Sequence, residues 1–141
     1  MILKDLSRKI YKRICYSLEQ KRILYIGISP KGRDEEIINW LDKHNNLTLV
    51  DKELINIDLK GKKFFVQDIT QANSFEDNYF DAIIMLGVVG YGLDIVDTWS
   101  AFRQMRRILK DKGKLYFELT KEKDLWESPV TFTINARVTM N

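Results

Sequence analysis

Residues 22–51 read RILYIGISPKGRDEEIINWLDKHNNLTLVD, and this stretch decides the fold. The run Ile23–Ile26 is apolar throughout, which is typical of a short buried strand. Asp34–Leu41 has the apolar spacing of an amphipathic helix, and its first turn is acidic, as the helix dipole favours. Leu47–Val50 is a second apolar run that ends at Asp51. The stretch therefore predicts a strand, a helix and a second strand in succession.

The same alternation continues toward the C-terminus. Lys63–Val66 and Asp81–Leu86 are predicted as the third and fourth strands. A helical stripe begins at Ile95 and is expected to stop at Lys112-Gly113, after which Leu115–Leu119 forms a fifth strand. Apolar strands that alternate with helices are typical of a parallel sheet covered on both faces. The sequence thus predicts an α/β fold with a Rossmann-like, doubly wound and mostly parallel sheet.

The segment after the fifth strand shows a different pattern. From Val130 to Met140, apolar and polar residues alternate strictly, which predicts a strand with one apolar face. Residues 120–129 are too few for a parallel crossover, so we expect this C-terminal strand to run antiparallel to the fifth strand. The predicted organisation is a single domain over residues 1–141, with its core at residues 22–119 and a C-terminal strand segment at residues 120–141.

The N-terminal residues 1–21 are predicted to form an amphipathic helix. Residues 1–22 carry seven basic and two acidic side chains. A basic helix of this kind could contact nucleic acid or an acidic membrane surface. A solvated helix face is the commoner case and is preferred, and nucleic acid is not expected as a partner. Charged residues also break any apolar segment of a signal peptide.

Composition narrows the class of protein further. The chain has 141 residues, 30% of them charged, as in a single soluble domain. The apolar run Ala82–Val89 is much shorter than the ~20 residues of a membrane helix. Cys15 is the only cysteine, so no internal disulfide can form, which fits a cytoplasmic protein. The sequence contains no Cys/His cluster with metal-ligand spacing, so no metal site is predicted.

Glycine and carboxylate residues follow the predicted strands, at the edge where open parallel sheets bind ligands. The first loop, GISPKG at residues 27–32, allows a tight turn and a close ligand, although an ordinary strand-to-helix turn has the same residues. Asp51 ends the second strand and can accept hydrogen bonds from ribose hydroxyls or cap the following turn. Asp68, or the N–H of Ile69, can meet an adenine edge, or Asp68 can cap its own turn.

Two further stretches carry a family resemblance. They are SFEDNYFDAII at residues 74–84 and AFRQMRRILKDKGKL at residues 101–115. In this order, and after Asp51 and Asp68, they resemble the class I S-adenosylmethionine-dependent methyltransferases. In that family a short acidic loop and Phe-Asp lead into the fourth strand, and a helix ending in Arg-apolar-Leu-Lys precedes the fifth. The resemblance covers residues 22–119, about two thirds of the chain.

The resemblance implies a cofactor, an activity and a site. The implied cofactor is S-adenosylmethionine, and the implied activity is methyl transfer to a small molecule. The first loop would hold the methionine portion, Asp51 the ribose and Asp68 the adenine. No catalytic residue is assigned, because methyl transfer from a sulfonium needs little acid–base chemistry. The cofactor-binding residues implied by the resemblance are Gly27, Ser29, Gly32, Asp51, Lys52, Asp68, Ile69, Leu86, Gly87 and Val88.

The first loop departs from the family pattern, and other functions remain open. Tyr25 stands where the family usually carries an acidic residue, and Pro30 lacks an N–H. One alternative is an NAD(P)-type dinucleotide-binding domain, because Gly27, Ser29 and Gly32 nearly match its fingerprint. Another is a non-catalytic interaction module that kept the fold. A homodimer or a partner chain that completes the acceptor side is a further hypothesis.

Overall fold

A computed structural model of the chain describes residues 11–28, 34–53, 58–71, 74–89, 95–119 and 130–135. Helices and strands alternate through these ranges, and none of the helices there has the length and apolarity needed to span a bilayer. The helices are α1 at residues 11–16, α2 at Glu35–His44 and α3 at Ile95–Ile108. The strands are β1 (Arg22–Ile26), β2 (Asn46–Asp51), β3 (Lys63–Val66), β4 (Phe80–Val89), β5 (Leu109–Leu119) and β6 (Val130–Asn135).

The strands form one sheet in the order β3-β2-β1-β4-β5-β6. Strand β1 pairs in parallel with both β2 and β4, and β2–β3 and β4–β5 are parallel as well. The predicted parallel sheet is confirmed, and β1 lies inside it. Strand β6 pairs antiparallel with β5, from Lys114 opposite Asn135 to Leu119 opposite Val130. Residues 136–140 of the predicted C-terminal strand lie outside the described residues.

Two apolar layers cover the sheet, one on each face. Tyr25 of β1 faces the layer built with Ile37 of α2, whereas its neighbour Ile26 faces Met105 of α3. Successive strand residues point to opposite faces, so a strand buried on both faces must be apolar at every position. This requirement explains the continuous apolar run of β1 and confirms the prediction of helices on both faces.

The end of α3 differs from the prediction. The helix ends at Ile108, and β5 begins at Leu109 and runs through Gly113 instead of starting after it. The pairing with β4 is irregular here, because the register shifts between Phe80 and Ala82. A Cβ on Gly113 would lie 2.8 Å from Leu109 Cδ2 and 3.0 Å from the Lys110 carbonyl oxygen. Gly113 therefore permits a close approach of the chain to itself and does not serve to stop the helix.

We expect the variant Gly113→Ala to lower the free energy of unfolding by at least about 1 kcal/mol. The backbone carbonyl of Lys110 cannot rotate away as a side chain would, so the added methyl group forces the strand to shift. Urea denaturation measures the effect, and Lys112→Ala at the exposed neighbouring position is the control. Equal stability of Gly113→Ala and the wild type would contradict the close approach.

Other local expectations were wrong. Helix α2 was predicted to end at Leu41 but extends to His44, because no helix breaker precedes His44 and its ring lies 4.2 Å from the Trp40 ring. Helix α1 ends at residue 16, before residue 21, and buries Tyr11 and Cys15. Trp99 lies in the helical segment that begins at Ile95, yet its side chain is 57% exposed. Such ends and exposures depend on neighbours that a local pattern does not reveal.

Candidate functional site

The carboxyl ends of the parallel strands meet at one edge of the sheet. The chain runs from β1 outward to β2 and β3, and then returns to β4 on the other side of β1. In sheets of this kind, ligands bind beyond the strand ends where the order reverses. The residues that follow β1, β2 and β3 are therefore the first candidates for a binding site.

Gly27 turns the chain at the end of β1. Its φ angle is +80°, a left-handed conformation that glycine adopts without steric cost. Its N–H donates a hydrogen bond to the Val50 carbonyl at 3.0 Å, so the turn is anchored to β2. Ser29 and Gly32, the other predicted residues of this loop, lie outside the described residues.

The Asp51 carboxylate joins the loop after β1 to the turn after β2. Its Oδ2 accepts a hydrogen bond from the Ile28 N–H at 3.0 Å, and its Oδ1 accepts one from the Glu53 N–H at 3.1 Å. The Asp51 carbonyl also accepts the Gln67 N–H at 2.9 Å. Asp51 therefore caps the turn after β2, which was one of its two predicted roles. Each carboxylate oxygen can accept a second hydrogen bond, so the half-buried Asp51 also suits two ribose hydroxyls.

Asp68 caps the turn that follows β3. Its Oδ1 accepts hydrogen bonds from the Thr70 N–H at 2.9 Å and the Thr70 hydroxyl at 2.7 Å. The hydroxyl and then the N–H of Thr70, with the charge of Lys52 in addition, hold the pKa of Asp68 below its usual range. Asp51 pairs with Val66, so Lys52 and Asp68 both follow paired strand ends at this edge of the sheet. The Ile69 side chain is buried in the core, so only its backbone can serve a ligand.

Gln67 is a residue at this edge that the sequence analysis did not assign. Its Nε2 donates a hydrogen bond to the Ser74 hydroxyl at 2.9 Å. Its Oε1 is buried and has no hydrogen-bond partner in the described part of the chain. A buried acceptor without a donor costs free energy unless a ligand or water satisfies it. The only sequence signal was an amide side chain directly after a strand.

The position of Gly87 and Val88 corrects a prediction. The fourth strand was expected to end at Leu86, with Gly87 and Val88 in the loop after it, but β4 continues through them to Val89. The register with β5 shifts between Met85 and Val89, so this part of the strand is irregular. The apolar run continues beyond Leu86, and β5 is long enough to pair with it.

The structure thus gathers part of the predicted set. Asp51 contacts Ile28 next to Gly27, and its backbone contacts Gln67 next to Asp68. These contacts unite the ends of β1, β2 and β3.

The described residues contain no group of three His, Cys, Asp or Glu side chains arranged for a metal ion.

Comparisons with known proteins bear on this site. A sequence profile described as a methyltransferase domain matches residues 35–117, which is more than half of the chain. A search of curated proteins found no match.

Solved structures resemble this chain as well. The N-methyltransferase NodS from Bradyrhizobium japonicum WM9, in complex with S-adenosyl-L-homocysteine, has a TM-score of 0.62 at 23% identity, over 79% of this chain and 60% of that chain. The 1,6-didemethyltoxoflavin-N1-methyltransferase of Burkholderia thailandensis, with 1,6-didemethyltoxoflavin and S-adenosylhomocysteine bound, has a TM-score of 0.58 at 12% identity, over 84% of this chain and 58% of that chain. A complex between the Haloferax volcanii Trm112 methyltransferase activator and a methyltransferase has a TM-score of 0.55 at 14% identity, over 82% of this chain and 55% of that chain. This chain therefore spans 55–60% of these structures' chains.

Proposed function

The chain belongs to the methyltransferase domain family, and from that premise we propose that it binds S-adenosylmethionine and transfers the methyl group to a small molecule. The observation that carries the proposal is the Asp51 carboxylate, held against the glycine turn by the Ile28 N–H. An acceptor for ribose hydroxyls is thereby fixed beside the loop proposed for the methionine portion. Two structures of the same fold contain S-adenosylhomocysteine, which supports this choice of cofactor.

The proposed site assigns one part of the cofactor to each strand end. The turn at Gly27 takes the methionine portion, Asp51 takes the ribose hydroxyls, and Asp68 lies at the adenine. The full set proposed to contact the cofactor is Gly27, Ser29, Gly32, Asp51, Lys52, Asp68, Ile69, Leu86, Gly87 and Val88.

When bound, the cofactor supplies an electrophilic methyl group. The work of the chain is then to bind and orient, because aligning two reactants lowers the barrier by removing the entropy of their encounter. Asp51 orients the nucleoside because two backbone N–H groups already hold its carboxylate in place. Such a fixed acceptor loses little entropy on binding.

Further proposals concern the whole protein. We propose that residues 1–141 form one domain, in which β6 extends the sheet by pairing antiparallel with β5. The single cysteine, Cys15, supports a cytoplasmic location. A second subunit or a partner chain is proposed to complete the acceptor side, and the complex with the Trm112 activator supports a partner of this kind.

Calorimetric titration of the purified protein with S-adenosylhomocysteine, S-adenosylmethionine, adenosine and NADH tests the proposal. We expect S-adenosylhomocysteine to bind with a dissociation constant on the order of micromolar. Adenosine should bind more weakly and NADH not at all. Binding of NADH without S-adenosylhomocysteine would support the dinucleotide alternative, and no binding at millimolar concentration would support an interaction module.

A further inference from the structure

Gln67 lies between the residue proposed for the ribose and the residue proposed for the adenine. Its N–H donates a hydrogen bond to the Asp51 carbonyl at 2.9 Å, so the two backbones are in direct contact. Asp68 is the next residue in the chain. A nucleoside bound to both carboxylates would therefore lie within reach of the Gln67 side chain.

The amide group of Gln67 has a partner at only one of its two ends. Its Nε2 donates a hydrogen bond to the Ser74 hydroxyl at 2.9 Å. Its Oε1 is buried and accepts no hydrogen bond from the part of the chain that the structure describes. An amide oxygen can accept two hydrogen bonds, and burying it without one costs free energy. The fold thus keeps an acceptor for a donor that the described residues do not supply.

Exchanging the two ends of the amide does not remove this mismatch. The Ser74 hydroxyl can accept a hydrogen bond from Nε2 or donate one to Oε1, so it suits either orientation of the Gln67 amide. In the second orientation the buried end is an Nε2 donor without an acceptor. The missing partner is therefore a property of the position and not of the way the amide is turned.

The Gln67 oxygen meets a ligand when the side chain turns outward. The residue as a whole is half-buried, and Ser74 is exposed. Turning outward breaks the exposed hydrogen bond to the Ser74 hydroxyl but ends the desolvation of Oε1. An exposed hydrogen bond contributes less free energy than an unsatisfied buried acceptor costs, so the turn is not opposed by the rest of the fold.

Adenine carries a donor of the required kind. Among the donors of adenosine, the ribose hydroxyls are assigned to Asp51, which leaves the exocyclic amino group of the base. This group has two N–H bonds, so it can serve an amide oxygen and the Asp68 carboxylate together. Glutamine commonly recognises adenine through this amino group, with the side-chain oxygen as the acceptor.

We propose that Gln67 is a specificity-determining residue, whose Oε1 accepts a hydrogen bond from the exocyclic amino group of the cofactor's adenine. The inference rests on the proposed function and deepens it. It names the side chain that selects adenine over a purine without this amino group.

Ligand affinities of Gln67→Met test the assignment. Methionine is also unbranched, but its sulfur is only a weak acceptor. Calorimetry compares S-adenosylhomocysteine, adenosine and purine riboside, which is adenosine without the amino group. We expect the wild type to prefer adenosine to purine riboside at least tenfold, and Gln67→Met to lower this preference about tenfold. S-adenosylhomocysteine should bind to the variant about tenfold more weakly.

Gln71→Met is the matched control. Gln71 is exposed, and its N–H still donates to the Asp68 carbonyl in the variant, so its affinities should equal those of the wild type. An unchanged preference for adenosine in Gln67→Met would overturn the inference, while binding of S-adenosylhomocysteine by the wild type would still support the proposed function. A wild type that binds none of the three ligands would overturn both.

Unfolding midpoints in urea test the missing partner without a ligand. Gln67→Met and Ser74→Ala both remove the hydrogen bond between these residues, so Gln67→Met should lower the midpoint no more than Ser74→Ala does. A larger shift, or failure of Gln67→Met to fold, would mean that Oε1 is satisfied within the protein and would overturn the inference. Gln67→Glu keeps an oxygen acceptor at this position and should retain the preference for adenosine. Loss of the preference in that variant would also contradict the inference.

Discussion

Asp51→Asn is expected to weaken S-adenosylhomocysteine binding about 10- to 100-fold and to lower the free energy of unfolding by about 1–3 kcal/mol. Asparagine presents one acceptor and one donor where aspartate presents two acceptors. One of the N–H groups of Ile28 and Glu53 therefore loses its partner, and so does one ribose hydroxyl. Calorimetry measures the affinity, and urea denaturation measures the stability.

The structure changes what is expected of this residue. The sequence left a ribose role and a capping role open for Asp51, and the structure shows that two backbone N–H groups depend on its carboxylate, so its removal also affects stability. Glu53→Gln is the control, because its side chain is exposed and its N–H still donates to Asp51. A loss of stability in Asp51→Asn with unchanged affinity would leave only the capping role.

Arg107→Ala is expected to lower the free energy of unfolding by about 2 kcal/mol. The Arg107 Nη1 donates hydrogen bonds to the Phe75 carbonyl at 2.7 Å and to Asp77 Oδ1 at 2.6 Å. The Asp77 side chain is 69% exposed, so its ion pair adds little, and most of the loss comes from the Phe75 carbonyl. Urea denaturation with linear extrapolation measures the change.

A matched variant and a change of salt concentration separate the contribution of the hydrogen bond to the Phe75 carbonyl from that of the ion pair with Asp77. Arg103→Ala removes an exposed arginine from the same helix, so it corrects for the change in helix propensity. The difference between the two variants should persist in 1 M NaCl, where surface ion pairs are screened. If the difference vanishes at high salt, the exposed ion pair with Asp77 is responsible and the assignment to the carbonyl is wrong.

Arg107 also joins the two stretches of sequence that carry the resemblance. In addition to its side-chain bonds, its carbonyl accepts the Asn78 N–H at 2.9 Å, and the Ile108 carbonyl accepts the Tyr79 N–H at 2.8 Å. The segment before β4 is thus fastened to the end of α3. Residues about 30 positions apart in the sequence form one contact region.

The positions of the strands followed from the sequence alone. A strand buried on both faces must be apolar at successive positions, and that requirement is visible without any knowledge of its partners. Strands β1 and β2 meet this requirement, and each was predicted to within one residue of its observed bounds. Strand β3 was predicted with its observed bounds, Lys63–Val66, although most of its residues are exposed. The edge carrying Asp51 and Asp68 followed from the parallel order. The predicted roles of these carboxylates toward a cofactor stay predictions.

Only the tertiary structure decided where elements end and which polar groups meet. Helix α3 ends at Ile108 because β5 pairs with β4 from Leu109 onward, a contact with residues far away in the sequence. The hydrogen bond between Asp51 and the Ile28 N–H, and the burial of Asp34 at the start of α2, likewise depend on contacts that form only in the folded chain. Apolar periodicity is a local property of the chain, whereas strand pairing and the partners of buried polar groups depend on segments that only folding brings together.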